Sequence, residues 1–298
     1  MPEFIVSAEE ADLTVEQFLH QHIPAAPAGY LRQLFKKGKI SSANKPVSAT
    51  DLLSVGEKIS LPNSHRLQEL LFAPQTSQPK LDILYESREI LIVNKPAGLA
   101  IHKGKGHERD NLTDRVTTFL AERGDKFQVA PVQRLDLETS GPVLFGKGKK
   151  SCAELGKLFM QGEVSKTYLT LVAGKMQGQG DLLSDIPAKG KLKTARTSYK
   201  TLVSSETASL LEIRLHTGRQ HQIRRQLADA GHPLYGDRRY RGPCPRKLPR
   251  LFLHCRQLTF NDPFSHQPIT VNCPLPKDLS RFLPQTISQA TLSPELNF

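Results

Sequence analysis

The sequence predicts an α+β protein in which a mixed, mainly antiparallel central sheet is flanked by helices and loops, with a small α+β unit in front of it. Three observations carry this. Short apolar runs bounded by Pro, Gly or Asn recur along residues 81–276, as strands do. The strand-like stretches beyond residue 190 are separated by two helices at most, too few for a strict β-α-β repeat. Between residues 62 and 80 the composition shifts to Pro, Gln and Ser, which marks a connection between folded parts. The organisation read from this is a small unit over 1–62, a linker over 63–80, a main domain over 81–282 and a polar tail over 283–298, expected to be poorly ordered.

In the small unit, Leu13, Val15, Phe18 and Leu19 form a helical stripe that Pro24 to Gly29 breaks. A second helix starts near Ala28, with Leu31, Leu34 and Phe35 on its apolar side. Arg32, Lys36, Lys37 and Lys39 gather toward its end, and Gly38 is its stop signal. Short β-like pieces around Ile40 and from Lys58 to Leu61 complete the unit.

The main domain opens with strands at Leu81 to Tyr85 and Ile90 to Val93. Asn111 caps a helix whose apolar residues, Leu112, Val116, Phe119 and Leu120, fall at i, i+4, i+7 and i+8. Apolar runs at Val129 to Val132 and Pro142 to Phe145 bracket a polar octet. A helix carrying Cys152, Leu155, Leu158 and Phe159 follows, and then Lys166 to Val172 alternates. Further strands are expected at Thr194 to Val203, Ala208 to Leu215, Leu251 to Phe260 and Ile269 to Val271. Between them, Ile223, Leu227 and Ala230 form the buried side of a helix, with Arg224 at the edge of that stripe.

Lysine and arginine exceed the acids by 41 − 29 = 12, an excess that suits a polyanionic partner. The four cysteines form no C-x-x-C pair, and the spacings of Cys244, Cys255 and Cys273 match no common zinc pattern, so no metal is expected and free thiols in a reducing compartment are. No apolar stretch approaches 18 residues and the N-terminus is acidic. The expectation is a cytoplasmic protein without a membrane partner.

The octet Arg134-Leu135-Asp136-Leu137-Glu138-Thr139-Ser140-Gly141 organises the chain. Asp136 sits between two leucines, where a carboxylate either caps an Asx-turn or does chemistry. Arg224 near a buried stripe pairs with a carboxylate or binds phosphate, because a guanidinium stays charged and makes bidentate bonds with both. Gly141 to Gly148 nearly spells a P-loop, but the Ser or Thr that would hold magnesium is missing.

The octet resembles the H-R-L-D-x-x-T-S-G signature of the RluA-type RNA pseudouridine synthases, with Gln133 where that pattern has His. Lys166-Thr167-Tyr168 resembles the family's K-x-Y segment, Thr217 to Arg224 its T-G-R-x-H-Q-x-R segment, and Asn94 to Leu99 with His102 its entry segment. Four motifs in order over residues 80–276 are far more specific than any one of them. The small unit is similar to the αL-type RNA-binding domain of a ribosomal small-subunit protein.

The resemblance implies the pseudouridine synthase fold with a central cleft, no cofactor, and isomerisation of uridine to pseudouridine in structured RNA. It implies Asp136 as catalytic carboxylate paired with Arg224, Tyr168 stacking on the base and passing a proton, and Arg134 filling the gap when the base flips out. Arg219, His221, Arg32, Lys36, Lys37 and Lys39 are the expected RNA contacts, along with basic loops at Lys103 to Arg109 and Arg238 to Arg250. Ribosomal RNA is favoured over transfer RNA, and the protein is expected to act as a monomer. The competing readings are an RNA or DNA N-glycosylase, which would release free base, and an RNA-binding or ribosome-assembly factor without turnover.

Overall fold

The computed structural model describes residues 2–23, 26, 28–71, 81–104, 110–125, 127–188 and 190–283. The chain divides into two compact units, Met1–Pro79 and Lys80–Phe298.

The first unit runs β1 (Glu3–Ile5), α1 (Val15–His22), α2 (Ala28–Lys36), β2 (Ser41–Ser42), β3 (Lys45–Pro46), β4 (Lys58–Ser60) and α3 (His65–Leu71). Its strands form an antiparallel sheet in the order β1-β4-β2-β3. α1 begins on a reciprocal cap: the Thr14 hydroxyl accepts from the Gln17 N–H while the Gln17 side chain accepts from the Thr14 N–H. Phe18, Leu19, Leu31, Ile40 and Ile59 are fully buried in its core. So are Leu67 and Leu70 of α3, one helical turn apart. The stretch 65–71, expected to be linker with one helical turn at Leu67, Leu70 and Leu71, therefore packs as part of this unit. The rest of the expected linker, 72–80, lies outside the described residues.

The second unit opens with β5 (Ile83–Glu86), β6 (Ile90–Lys95), α4 (Leu112–Glu122), β7 (Val129–Pro131), β8 (Gly141–Lys147) and α5 (Lys149–Gln161). It continues with β9 (Ser165–Ala173), β10 (Gln179–Ala188), β11 (Lys191–Ser204), β12 (Ala208–Leu215), α6 (Gln222–Asp229), β13 (Leu253–Asn261), β14 (Pro268–Asn272) and α7 (Lys277–Ser280). Two antiparallel sheets result, β5-β6-β8-β7 and β10-β11-β12-β9-β13-β14. Alternation places Tyr168 and Val172 of β9 in one core, with α4 and α6, and Leu169 and Leu171 in another, with Leu279 of α7. β6 is buried on both faces in the same way, Leu91 and Val93 against one core and Ile90 and Ile92 against the helix α5 side.

The sheets meet where β8 touches β13. Ser140 and His254 form a parallel bridge there, and the Cys255 N–H donates to the Ser140 carbonyl at 2.9 Å. Gly141 makes that approach possible: a Cβ at this position would lie 2.3 Å from the Cys255 carbonyl oxygen, and its φ of +129° disfavours any side chain.

Four differences from the sequence expectations have plain causes. β10 carries Gly180 and Pro187 and does not read as a strand, yet it is tolerated because it lies at the sheet edge. β1 is only three residues long and mostly exposed. Ala230 is exposed just beyond α6, whose buried side is Gln222, Ile223, Arg224, Gln226 and Leu227. Leu283, expected to open the tail, is buried beside Leu279 and Phe282; the remaining tail, 284–298, lies outside the described residues.

Candidate active site

The octet fills the connection between β7 and β8. Its turn is closed by the Thr139 N–H donating to the Asp136 backbone carbonyl at 3.1 Å. That leaves the Asp136 carboxylate out of an Asx-turn. Two buried or half-buried groups brace the loop from outside. The Lys95 ammonium, fully buried, donates to the carbonyls of Pro96, Leu99 and Leu137 at 2.9, 2.9 and 3.0 Å. Burial, and then the charge of Arg250, push its pKa down to about 7 against the pull of Asp136. Arg250 donates to the Glu138 carbonyl and the Ser140 hydroxyl, both at 3.2 Å, while Asp278 holds its guanidinium at 2.6 Å. Arg250, expected in an RNA-binding loop, is thus a structural brace.

Two further residues secure the loop ends. The Gln133 amide donates to the Pro142 carbonyl at 3.0 Å, and its own oxygen is buried without a partner. Ser140 Oγ lies 2.9 Å from His254 Nδ1, whose Nε2 meets the Cys273 carbonyl at 3.0 Å. That pair is not a nucleophilic dyad: His254 is fully buried, and burial pushes its pKa down to about 4.

Asp136 faces a guanidinium from α6 and an imidazole from the turn before it. Arg224 Nη1 lies 3.4 Å from Asp136 Oδ2, and His221 Nε2 lies 3.7 Å from the same oxygen. The closer partner of Arg224 is Asp237, fully buried, which takes Nε at 2.6 Å and Nη2 at 2.8 Å in a bidentate pair. Arg224 therefore sits well inside the protein, not at the edge of the stripe. Burial opposes its charge, but the bonds and charge of Asp237, followed by Asp136, raise its pKa. One end of the guanidinium is saturated and the other is aimed at Asp136, which leaves no phosphate role for this arginine.

Tyr168 and Lys166 project from the same face of β9. Burial, reinforced by Cys255, pushes the Tyr168 phenol well above its ordinary range, so it keeps its proton at neutral pH. Burial lowers the pKa of Lys166, whose ammonium sits 5.4 Å from the centre of the Phe159 ring and has no carboxylate partner among the described residues. Asp136, Tyr168, Arg224, Lys166, Arg134, Arg219 and His221 all line one open cleft of about 1330 Å³. That is larger than the ~300–1,000 Å³ of ordinary small-molecule pockets and suits part of a polymer. Arg134 is exposed at its edge, and Arg219 keeps a buried Nε–H with no partner.

The basic cluster of the first unit, Arg32, Lys36, Lys37 and Lys39, is exposed along and just past α2. In the second unit, residues 105–109 of the Lys103 to Arg109 loop lie outside the described residues. Asp237 is the site residue that sequence reasoning missed, and Tyr240, an aromatic of the loop expected to stack on RNA, meets Arg225 and His221. Asp237 lies in a polar, basic stretch with no periodicity, and the only hint was a buried-stripe arginine that needed a carboxylate. Among the described residues no three His, Cys, Asp or Glu side chains come together to hold a metal ion, and no helix is long and apolar enough to cross a membrane.

Comparison with known proteins is consistent with this geometry. The family model for RNA pseudouridylate synthase matches residues 89–229, a span that includes Asp136, Tyr168 and Arg224. An "Uncharacterized RNA pseudouridine synthase YhcT" of Bacillus subtilis (strain 168) is 34% identical over 213 residues, 67% of this chain and 70% of that protein. A "Ribosomal large subunit pseudouridine synthase C" of Salmonella typhi is 30% identical over 312 residues, 96% of each chain. A "Ribosomal large subunit pseudouridine synthase D" of Nitrosomonas europaea is 29% identical over 94% of this chain and 86% of its own. Among solved structures, human RNA Pseudouridylate Synthase Domain Containing 1 superposes with a TM-score of 0.54 at 25% identity, covering 69% of this chain and 86% of its own. The ordered motifs, the sheet pair around a basic cleft and these likenesses agree, and the chain belongs to the RNA pseudouridylate synthase family.

Proposed function

We propose that this RNA pseudouridine synthase modifies large-subunit ribosomal RNA, with Asp136 as the catalytic carboxylate, Tyr168 against the base and Arg224 as the cationic partner of Asp136. The observation that carries the reading is the Asp136–Arg224 approach of 3.4 Å on the wall of a cleft wide enough for a nucleotide. Asp136 retains about a quarter of its side-chain surface, 28%, so it is reachable from the cleft.

The isomerisation breaks the bond from sugar to ring nitrogen, turns the base within the pocket and rejoins it through carbon 5. An ionised Asp136 serves as nucleophile or base in that sequence. The Tyr168 phenol, protonated at neutral pH, takes up the carbon 5 proton as it releases its own, and the freed ring nitrogen gains one, so the isomerisation has no net change in protons. Arg134, exposed two residues from Asp136, fills the space the flipped base vacates, offsetting a cost of about a few kcal/mol. Arg219, half-buried on the cleft wall, is placed to meet a phosphate with its guanidinium. In the first unit, Arg32, Lys36, Lys37 and Lys39 add a second contact to RNA, which raises the effective concentration of the target at the cleft. The preference for ribosomal over transfer RNA is supported by the names of the relatives that align over most of their length.

Pseudouridine mapping in a strain lacking the gene tests the substrate. The expected result is a site lost from large-subunit RNA and restored by the purified wild-type protein but not by Asp136→Asn. Loss confined to transfer RNA would overturn the substrate, activity in Asp136→Asn would overturn the carboxylate, and release of free uracil would indicate a glycosylase.

A further inference from the structure

Tyr240 lies outside the four motifs and beyond residues 89–229, where the family model matches, yet it touches both side chains that approach the Asp136 carboxylate, Arg224 and His221. Its hydroxyl accepts from Arg225 Nε at 2.9 Å and lies 3.1 Å from His221 Nδ1. Its ring centroid is 5.2 Å from the Arg224 guanidinium and packs edge-on to the His221 ring at 88°. The Asp237 carboxylate, already bonded to Arg224, also accepts the backbone N–H of Arg239 and Tyr240 at 3.1 Å each, so one short turn fixes both contacts.

Proton bookkeeping gives this arrangement a direction. An arginine Nε–H can only donate, so the phenol oxygen accepts from Arg225 and its own proton is free for His221 Nδ1. The other imidazole nitrogen, Nε2, faces a carboxylate 3.7 Å away, which calls for a proton on Nε2. Both ends specify the same neutral tautomer. The backbone agrees that the placement matters: His221 holds φ +53°, ψ +28°, a left-handed conformation uncommon for a residue other than glycine. Burial, together with Arg224, Arg239 and Arg225, lowers the imidazole pKa against the pull of Asp136, which keeps the ring neutral at neutral pH.

We infer that Tyr240 is a positioning residue: anchored by Arg225, its hydroxyl locks His221 in the tautomer that presents Nε2–H to Asp136, while its ring holds the Arg224 guanidinium in place. His221 then serves the carboxylate rather than the RNA backbone. The inference rests on Asp136 being the catalytic acid.

The test uses the full chain with total RNA from a strain lacking the gene, and compares wild type, Tyr240→Phe and Asp136→Asn. Tyr240→Phe keeps the ring and removes only the hydroxyl. Nitrogen-15 histidine spectra, with His221 assigned through a His221→Gln protein, are expected to show a single Nε2–H tautomer in wild type and a mixture in Tyr240→Phe. The kcat of Tyr240→Phe, which loses the Oη contacts to both Arg225 and His221, is expected to fall by about three- to tenfold, about the worth of the neutral bond to His221, with KM within about twofold of wild type. His221→Gln, whose amide still donates, is expected to keep more kcat than His221→Leu. Tyr240→Phe with an unchanged tautomer, or with a raised KM and unaltered kcat, would overturn the inference and make Tyr240 an RNA contact. An active Asp136→Asn would instead remove the carboxylate reading, a separate failure visible in a separate protein.

Discussion

Replacing Asp237 by Asn tests whether the arginine at the site is held by a buried acid that touches no substrate. Asp237 is fully buried and the Arg224 side chain is 9% exposed, so the pair is almost dry. Removing one partner of such a pair costs about 3–5 kcal/mol, because the remaining charge stays desolvated. The low end applies here: Asn keeps an oxygen for Arg224 and for the Arg239 and Tyr240 amides, and Arg224 retains Asp136 at 3.4 Å and the Tyr240 ring. A loss of about 3 kcal/mol lowers the melting temperature of a unit this size by about 6–12 °C. Scanning calorimetry reads this directly, and kcat is expected to fall with it because Arg224 no longer has a fixed aim. A melting temperature within about 2 °C of wild type would show that the pair adds nothing net, and the account of how Arg224 is oriented would fail.

Three other substitutions probe the frame around the octet. Gly141→Ala puts a methyl 2.3 Å from the Cys255 carbonyl oxygen and is expected to cost about 3 kcal/mol or more and to displace the octet, read as joint loss of thermal stability and activity; a protein as stable as wild type would refute the close approach. Lys95 titrates at about 7 in the folded protein against 10.5 for a free lysine, so between those values the unfolded chain binds more protons and stability climbs with pH. Urea unfolding at neutral pH and at about pH 9 is expected to show a larger rise in wild type than in Lys95→Met, in which Lys166, also lowered by burial, still contributes; equal rises would disprove it. Gln133→His keeps a donor for the Pro142 carbonyl and removes a buried oxygen without a partner, so a gain of up to about 1 kcal/mol with kcat within about twofold is expected, and a large change in kcat would instead assign position 133 to proton transfer.

The parts legible in the sequence are those whose cause is local. Period-3.6 stripes located α1, α4 and α6, alternation located β9 with its two buried faces, and Asn111 capped α4 through its own third residue, Asp114. The family motifs brought Asp136, Tyr168 and Arg224 into view because each keeps a fixed residue type at a fixed spacing. What lay hidden had either no local pattern or a misleading one: β10 with its edge proline, and α3 inside a stretch that composition read as linker.

Residue types and their order by themselves determined most of the strands and helices and singled out Asp136 as the candidate acid, since backbone sterics and apolar spacing act over a few residues. Only the tertiary structure decided who neutralises whom. Arg224 lies 88 residues from Asp136, and Arg250 lies 112 residues from the Glu138 carbonyl it braces. A charge finds its partner through space, in a low-dielectric interior where an unpaired ion is costly, and that choice is made when the two sheets close on each other at Gly141.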